Sequence, residues 1–172
     1  NIEAIAAKAG VSKQTIYRWW SSAAFIVLEA LIADMPSQEG LVPDTGSIRG
    51  DLQELVRPTV RALSQRRGAV YKALIAEAQA DPRFAEAFRA QLMSAHREIV
   101  RAVVSRAQLR GEVPFEVDGD LAADLVYGPI LYRLLNGHAT LDETFAFDLI
   151  DAVVSALRYR DAGAKRAAEA AE

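Results

Sequence analysis

The chain has 172 residues, 51% of them apolar and 25% charged, and a formal net charge of −3; this is the make-up of an ordinary globular protein and not of one coated in basic surface. It has no cysteine, which excludes disulfides, thiolate metal sites and cysteine nucleophiles. Its longest apolar run, Ala23 to Leu28, ends at Glu29 and is far too short to cross a bilayer, and with no signal peptide ahead of the first motif the expected compartment is the cytoplasm, with no membrane partner.

Apolar residues recur at steps of three and four almost throughout, so the predicted fold class is all-α, with helices near 2–9, 13–19, 22–35, 48–65, 68–79, 82–109, 119–136 and 141–160. In the first, Ile2, Ile5, Ala6 and Ala9 make one stripe. Gly10 suits the left-handed backbone that ends a helix, and Ser12 suits the N-cap of the next. Ile5, Ala9, Val11, Ile16 and Trp20 then form an expected small core. Lys13, Gln14, Tyr17 and Arg18 project together from the opposite face of the second helix, flanked by Thr15 and Trp19. A short, basic, hydrogen-bond-rich helix after a glycine turn describes a helix-turn-helix, whose second helix enters the major groove.

Further along, Pro36 to Ser47 holds two prolines and two glycines without periodicity and reads as a linker. Ser47 is an expected cap for the helix after it. Asp81-Pro82 pairs an N-cap with a proline at the first helical position. The helix over 82–109 carries the stripe Phe84, Phe88, Leu92, Ile99, Val103, with His96 beside it, and closes at Gly111. The helix over 119–136 is apolar on nearly every side and is expected to kink at Gly128-Pro129. Thr140 and Glu143 have capping-box spacing. The last helix has two apolar faces, Phe145, Leu149, Val153, Ala156 and Phe147, Ile150, Val154, Leu157. One face can meet its own domain; the other needs either a partner or a deep core. The closing segment, 163–172, has no large apolar residue and is expected to fray. The predicted division is a helix-turn-helix DNA-binding domain over 1–35, a linker over 36–47, a C-terminal domain over 48–162 and a tail over 163–172.

"IAAKAGVSKQTIYRWWSS", followed by "VLEAL", resembles the DNA-binding half of the TetR family of bacterial transcriptional regulators, and "LAADLVYGPILYRLLNGHATLDETFAFDLIDAVV", residues 121–154, resembles its C-terminal part. The resemblance implies a repressor that binds double-stranded operator DNA as a homodimer and is released by a small apolar effector, with no cofactor and no metal. DNA contact then falls to Lys13, Gln14, Thr15, Tyr17, Arg18 and Trp19. Arg18 and Gln14 suit guanine and adenine edges, and Lys13 and Tyr17 suit phosphates. Leu125, Leu131, Tyr132, Leu135, Phe145, Leu149 and Val153 are expected at the dimer interface. Tyr71, Phe88, His96 and Tyr127 are expected to line the effector pocket. The sequence departs from the family at Ser21-Ser22-Ala23, where Ala23 stands in place of a phosphate-anchoring lysine. The family's first helix, expected across the helix-turn-helix, does not precede Asn1 in this sequence. The rival class is a helical adaptor, or an enzyme on a helical scaffold, with the opening motif serving only to pack. Histidines at metal spacing, a glycine-rich loop after a strand and a serine–histidine–acid motif are all missing from the sequence, which disfavours the enzyme.

Overall fold

A computed structural model describes residues 2–35 and 42–169, with side chains to Tyr159. Its elements are α1 (Ile2–Ala9), α2 (Lys13–Tyr17), α3 (Ala23–Ala33), α4 (Ile48–Leu63), α5 (Arg66–Ala80), α6 (Pro82–Ala87), a π-helical stretch (Phe88–Met93), α7 (Ser94–Leu109), α8 (Gly119–Asn136) and α9 (Glu143–Glu169). Among the described residues there is no strand.

Short polar side chains set the helix starts. The Ser12 hydroxyl accepts from the Thr15 N–H at 3.2 Å, and the Ser47 hydroxyl accepts from the Gly50 N–H at 3.1 Å. Asp81 accepts from the N–H groups of Arg83 and Phe84 at 2.8 and 3.4 Å, with Pro82 behind it. Each satisfies donors that the first helical turn leaves open. At α9 the expected capping box does not form. Asp142 is the cap: one carboxylate oxygen accepts from the Phe145 N–H at 2.8 Å and the other from the Thr140 hydroxyl at 2.6 Å. Glu143 turns instead to Arg61 of α4, at 2.7 Å. α8 ends on Gly137 in the left-handed region, φ 63°.

The single helix expected over 82–109 is interrupted by the π stretch. Four residues overshoot one α turn and fall short of one π turn, whose bonds span five. A run that mixes the two therefore keeps Phe84, Phe88 and Leu92 buried on one side.

The chain groups into two compact units, Asn1–Pro36 with Ala73–Met93, and Ser37–Lys72 with Ser94–Glu172. Residues 73–93, predicted to lie within the C-terminal domain, thus group with the N-terminal segment. The reason is visible in α3, which offers Phe25, Leu28 and Ile26 on different sides and is too apolar for two short helices to cover. Ile26 and Ala23 join Ile2, Ala6 and Ile16 in one cluster. Phe25 meets Phe84 edge-on at 5.1 Å, and Phe88 lies 6.2 Å from Phe84. Two members of the expected small core are not in it. Ala9 is exposed and Val11 is 42% exposed; Val11 closes the turn through its N–H to the Ala6 carbonyl at 3.1 Å, and α3 supplies the apolar cover in its place.

In the second unit α4 packs on α9 and α7, α7 on α8, and α8 on α9. Ile48, Leu52, Val56 and Val60 of α4 meet Val100, Val103 and Val104 of α7, Val126 and Ile130 of α8, and Ile150 and Val154 of α9 in one core. Phe145, Leu149 and Val153, predicted to face a second copy, belong to this core, at 8%, 8% and 4% exposure. On each apolar face of α9 three side chains are buried within the chain: Phe145, Leu149 and Val153 on one, Ile150, Val154 and Leu157 on the other. On α8, Leu125 and Leu131 are half-buried. The large apolar side chains left outside on α8 and α9 are Leu121, Tyr132, Leu135, Phe147 and Tyr159.

Among the described residues, one carboxylate is buried in the second unit. Asp51 is fully buried and accepts from the Thr45 N–H at 2.6 Å, the Thr45 hydroxyl at 2.8 Å and Arg110 at 3.0 Å. Arg110 also reaches Glu112 at 2.5 Å, and Glu112 accepts from the Ile48 N–H at 2.9 Å. Arg106 donates to the Pro43 carbonyl at 2.6 Å. Residues 43–48 are thereby fastened to the C-terminal end of α7. The predicted linker is described only from residue 42 onward; its residues 36–41 and tail residues 170–172 lie outside the described residues.

Candidate nucleic-acid interface

In α2 only Ile16 is buried, at 4% exposure. With that one side chain turned inward, the others are placed. Lys13, Gln14, Thr15, Tyr17, Arg18 and Trp19 are all exposed, Tyr17 at 57% and Trp19 at 69%. The structure therefore brings all six predicted DNA-contacting residues to the surface of one short segment. The Arg18 guanidinium lies over the Trp19 ring, 5.7 Å from its centroid. The Thr15 hydroxyl sits 2.9 Å from that of Ser12, within the cap. Trp20, half-buried, donates its indole N–H to Glu29 of α3 at 2.6 Å.

Lys13 is not free. Its ammonium donates to the Glu3 carboxylate of α1 at 2.5 Å. That hydrogen bond, together with the lysine charge, holds the Glu3 carboxyl below its ordinary range. Sequence reading missed Glu3 and Glu29. The usable signal was that Glu3 is the one acid among residues 1–22; the pairing itself depends on the angle at which α1 and α2 cross, which periodicity does not carry.

In the second unit, Tyr71, His96 and Tyr127 come together. His96 meets Tyr127 edge-on at 5.3 Å, and the Tyr71 phenol is close enough to raise the Tyr127 pKa further, after burial has raised it most. Burial pushes Tyr71 up to about 12. Both phenols are neutral hydroxyls at any physiological pH. The Tyr127 hydroxyl oxygen is buried without a hydrogen-bonding partner. Phe88, grouped with these three from sequence, belongs to the first unit, where it packs on Phe84. His138 lies against the Tyr132 ring at 4.8 Å. Among the described residues no group of His, Asp or Glu side chains is arranged to hold a metal ion, and no helix is long and apolar enough to cross a membrane.

An all-helical chain that opens on a helix-turn-helix with a basic, aromatic outer face, and continues into a bundle that groups Tyr71, His96 and Tyr127, has the build of a one-component transcriptional regulator. Residues 42–153 match the family model of the tetracyclin repressor-like C-terminal domain. An uncharacterised helix-turn-helix-type transcriptional regulator of Bacillus subtilis, YdeS, is 33% identical over 149 residues, spanning 87% of this chain and 75% of that one. A DNA-binding transcriptional repressor of Mycobacteroides abscessus is 34% identical over 160 residues, spanning 91% and 82%. The solved structure of the TetR family transcription regulator SCO0332 superposes with a TM-score of 0.76 at 28% identity, covering 90% of this chain and 85% of that one. The chain belongs to the TetR family of transcriptional regulators, a family of regulators and not of enzymes.

Proposed function

We propose that the protein is a homodimeric repressor that binds double-stranded operator DNA through α2 and is released by a small apolar effector held in the second unit. The observation that carries the DNA reading is the exposed cluster Lys13, Gln14, Tyr17, Arg18 and Trp19, set on a helix fixed by the single inward residue Ile16. Arg18 and Gln14 have the donor and acceptor sets for base edges in the major groove. Lys13 and Tyr17 have those for phosphates. Thr15 lies between them, and Trp19 supports the Arg18 guanidinium.

The effector reading rests on the unpartnered Tyr127 hydroxyl among Tyr71 and His96. A buried hydroxyl without a partner costs about 1–3 kcal/mol, and an apolar ligand with one polar atom would satisfy it. The dimer reading rests on Leu121, Tyr132 and Leu135, an exposed apolar stripe along α8 bordered by the half-buried Leu125 and Leu131. By linkage, an effector that lowers DNA affinity is bound less tightly by the DNA complex than by the free protein.

The deciding experiment is selection of bound duplexes from a random pool. A two-fold dimer of helix-turn-helix units is expected to enrich inverted half-sites about 34–36 Å apart, or a multiple of that. A pool that shows no enrichment over many rounds refutes sequence-specific DNA binding.

A further inference from the structure

We propose that Glu3 is a built-in competitor of the DNA backbone, its carboxylate holding on Lys13 the place that a phosphate would take. The inference rests on the reading of α2 as the DNA-facing helix. Glu3 is the one acidic residue among positions 1–22, against the cations Lys8, Lys13 and Arg18. It stands in the first turn of α1, Lys13 is the first residue of α2, and the two meet at 2.5 Å. Both side chains are more than half exposed, 53% for Lys13 and 60% for Glu3, so the pair lies where a phosphate can reach it.

The bland account is that the pair glues α1 to α2, and it fares poorly. The two helices are already joined through the buried Ile2, Ala6 and Ile16, and an ion pair this exposed adds little to stability. For DNA the same pair matters more. A free lysine that neutralises a phosphate releases a condensed counterion, and that release drives backbone binding. A lysine already neutralised by Glu3 must first give up its carboxylate, which then remains beside the phosphate as a like charge. Glu3 therefore weakens binding and flattens its salt dependence, without touching a base.

The test compares the wild-type chain, Glu3→Gln and Glu3→Ala, each with and without Lys13→Ala, by fluorescence anisotropy. The probes are the duplex enriched by the wild-type chain and an unrelated duplex of the same length. Alanine is included because it is the best helix former, so α1 stays intact; thermal unfolding by circular dichroism confirms the fold of each variant. Removing Glu3 is expected to tighten binding to both duplexes and to steepen the slope of log affinity against log salt by about 0.9 for each copy of the chain on the DNA. The gain is then about threefold larger per copy at 50 mM than at 200 mM salt. In the Lys13→Ala background the change in slope is expected to vanish. Unchanged or weaker binding by both folded Glu3 variants overturns the proposal, and so does a change in slope that persists without Lys13. Failure of the wild-type chain to bind either duplex would instead refute the DNA-facing reading of α2, and the competitor with it.

Discussion

Replacing Asp51 by asparagine tests the buried carboxylate of the second unit. The wild-type group is fully buried and accepts three hydrogen bonds, two from Thr45 and one from Arg110. Asparagine matches its shape and keeps an acceptor for the Thr45 N–H, but it removes the charge and turns an NH₂ toward a donor. Arg110 retains Glu112 at 2.5 Å and Asp44 at 3.5 Å, which places the loss at the low end of the about 3–5 kcal/mol typical of breaking a buried pair. With about 2–4 °C per kcal/mol for a chain of this length, the melting temperature is expected to fall by about 6–12 °C. The pH dependence gives an independent check. Burial alone would raise the Asp51 pKa; the Thr45 N–H, the Thr45 hydroxyl and Arg110 more than offset it and hold the group below 3.8. A carboxylate depressed in the folded state contributes stability that is present above its unfolded pKa and lost as pH falls through the folded one. Thermal unfolding followed by circular dichroism should therefore show a deficit that is constant from pH 8 to 5 and narrows only below about pH 4. A deficit under about 1 kcal/mol, or one already narrowing between pH 6 and 5, refutes the reasoning.

Tyr127→Phe removes a hydroxyl that has no partner, so stability should hold or rise by up to about 1 kcal/mol, and a fall in melting temperature would reveal a partner. Tyr132→Glu combined with Leu135→Glu places charges on side chains 63% and 48% exposed; the fold should survive while sedimentation reports a monomer, and an unchanged dimer would remove α8 from the subunit contact. Val153→Glu, at a position 4% exposed, should unfold the chain, because an unpaired charge then enters the core. Arg18→Ala should cost about 1–3 kcal/mol on the selected duplex and relax preference at one base position; equal weakening on every duplex would make Arg18 an anchor and not a reader.

Local chemistry made most of the helix starts legible. Ser12, Ser47 and Asp81 act where the sequence places them, because a cap depends on residues within one turn. The outer face of α2 was legible for a similar reason: once Ile16 points inward, its neighbours have nowhere else to go. What depended on which segment packs against which was not legible. Phe145, Leu149 and Val153 read as a face in need of a partner, since the sequence does not say that the chain itself covers both sides of α9. Phe88 read as a pocket neighbour of His96, but the two fall in separate units, Phe88 at the start of the π stretch and His96 beyond it. Thr140 and Glu143 had capping-box spacing, yet Asp142 competes with Thr140 for the cap, and Arg61 and Arg57, more than eighty positions away, draw Glu143 off.

The π stretch at Phe88–Met93 also bears on which insertions and deletions the gene can carry. Its wider turn absorbs a residue that an α turn would not. Loss of one residue between Phe88 and Leu92 would restore an ordinary α turn, and Leu92 would then swing by about 100° relative to Phe84, the angle of one residue in a helix of 3.6 per turn. Leu92, buried in the first unit, would leave its core. A one-codon deletion here should be as damaging as a core substitution, whereas the same deletion in the alanine-rich run after Gly163 would move no residue of that core.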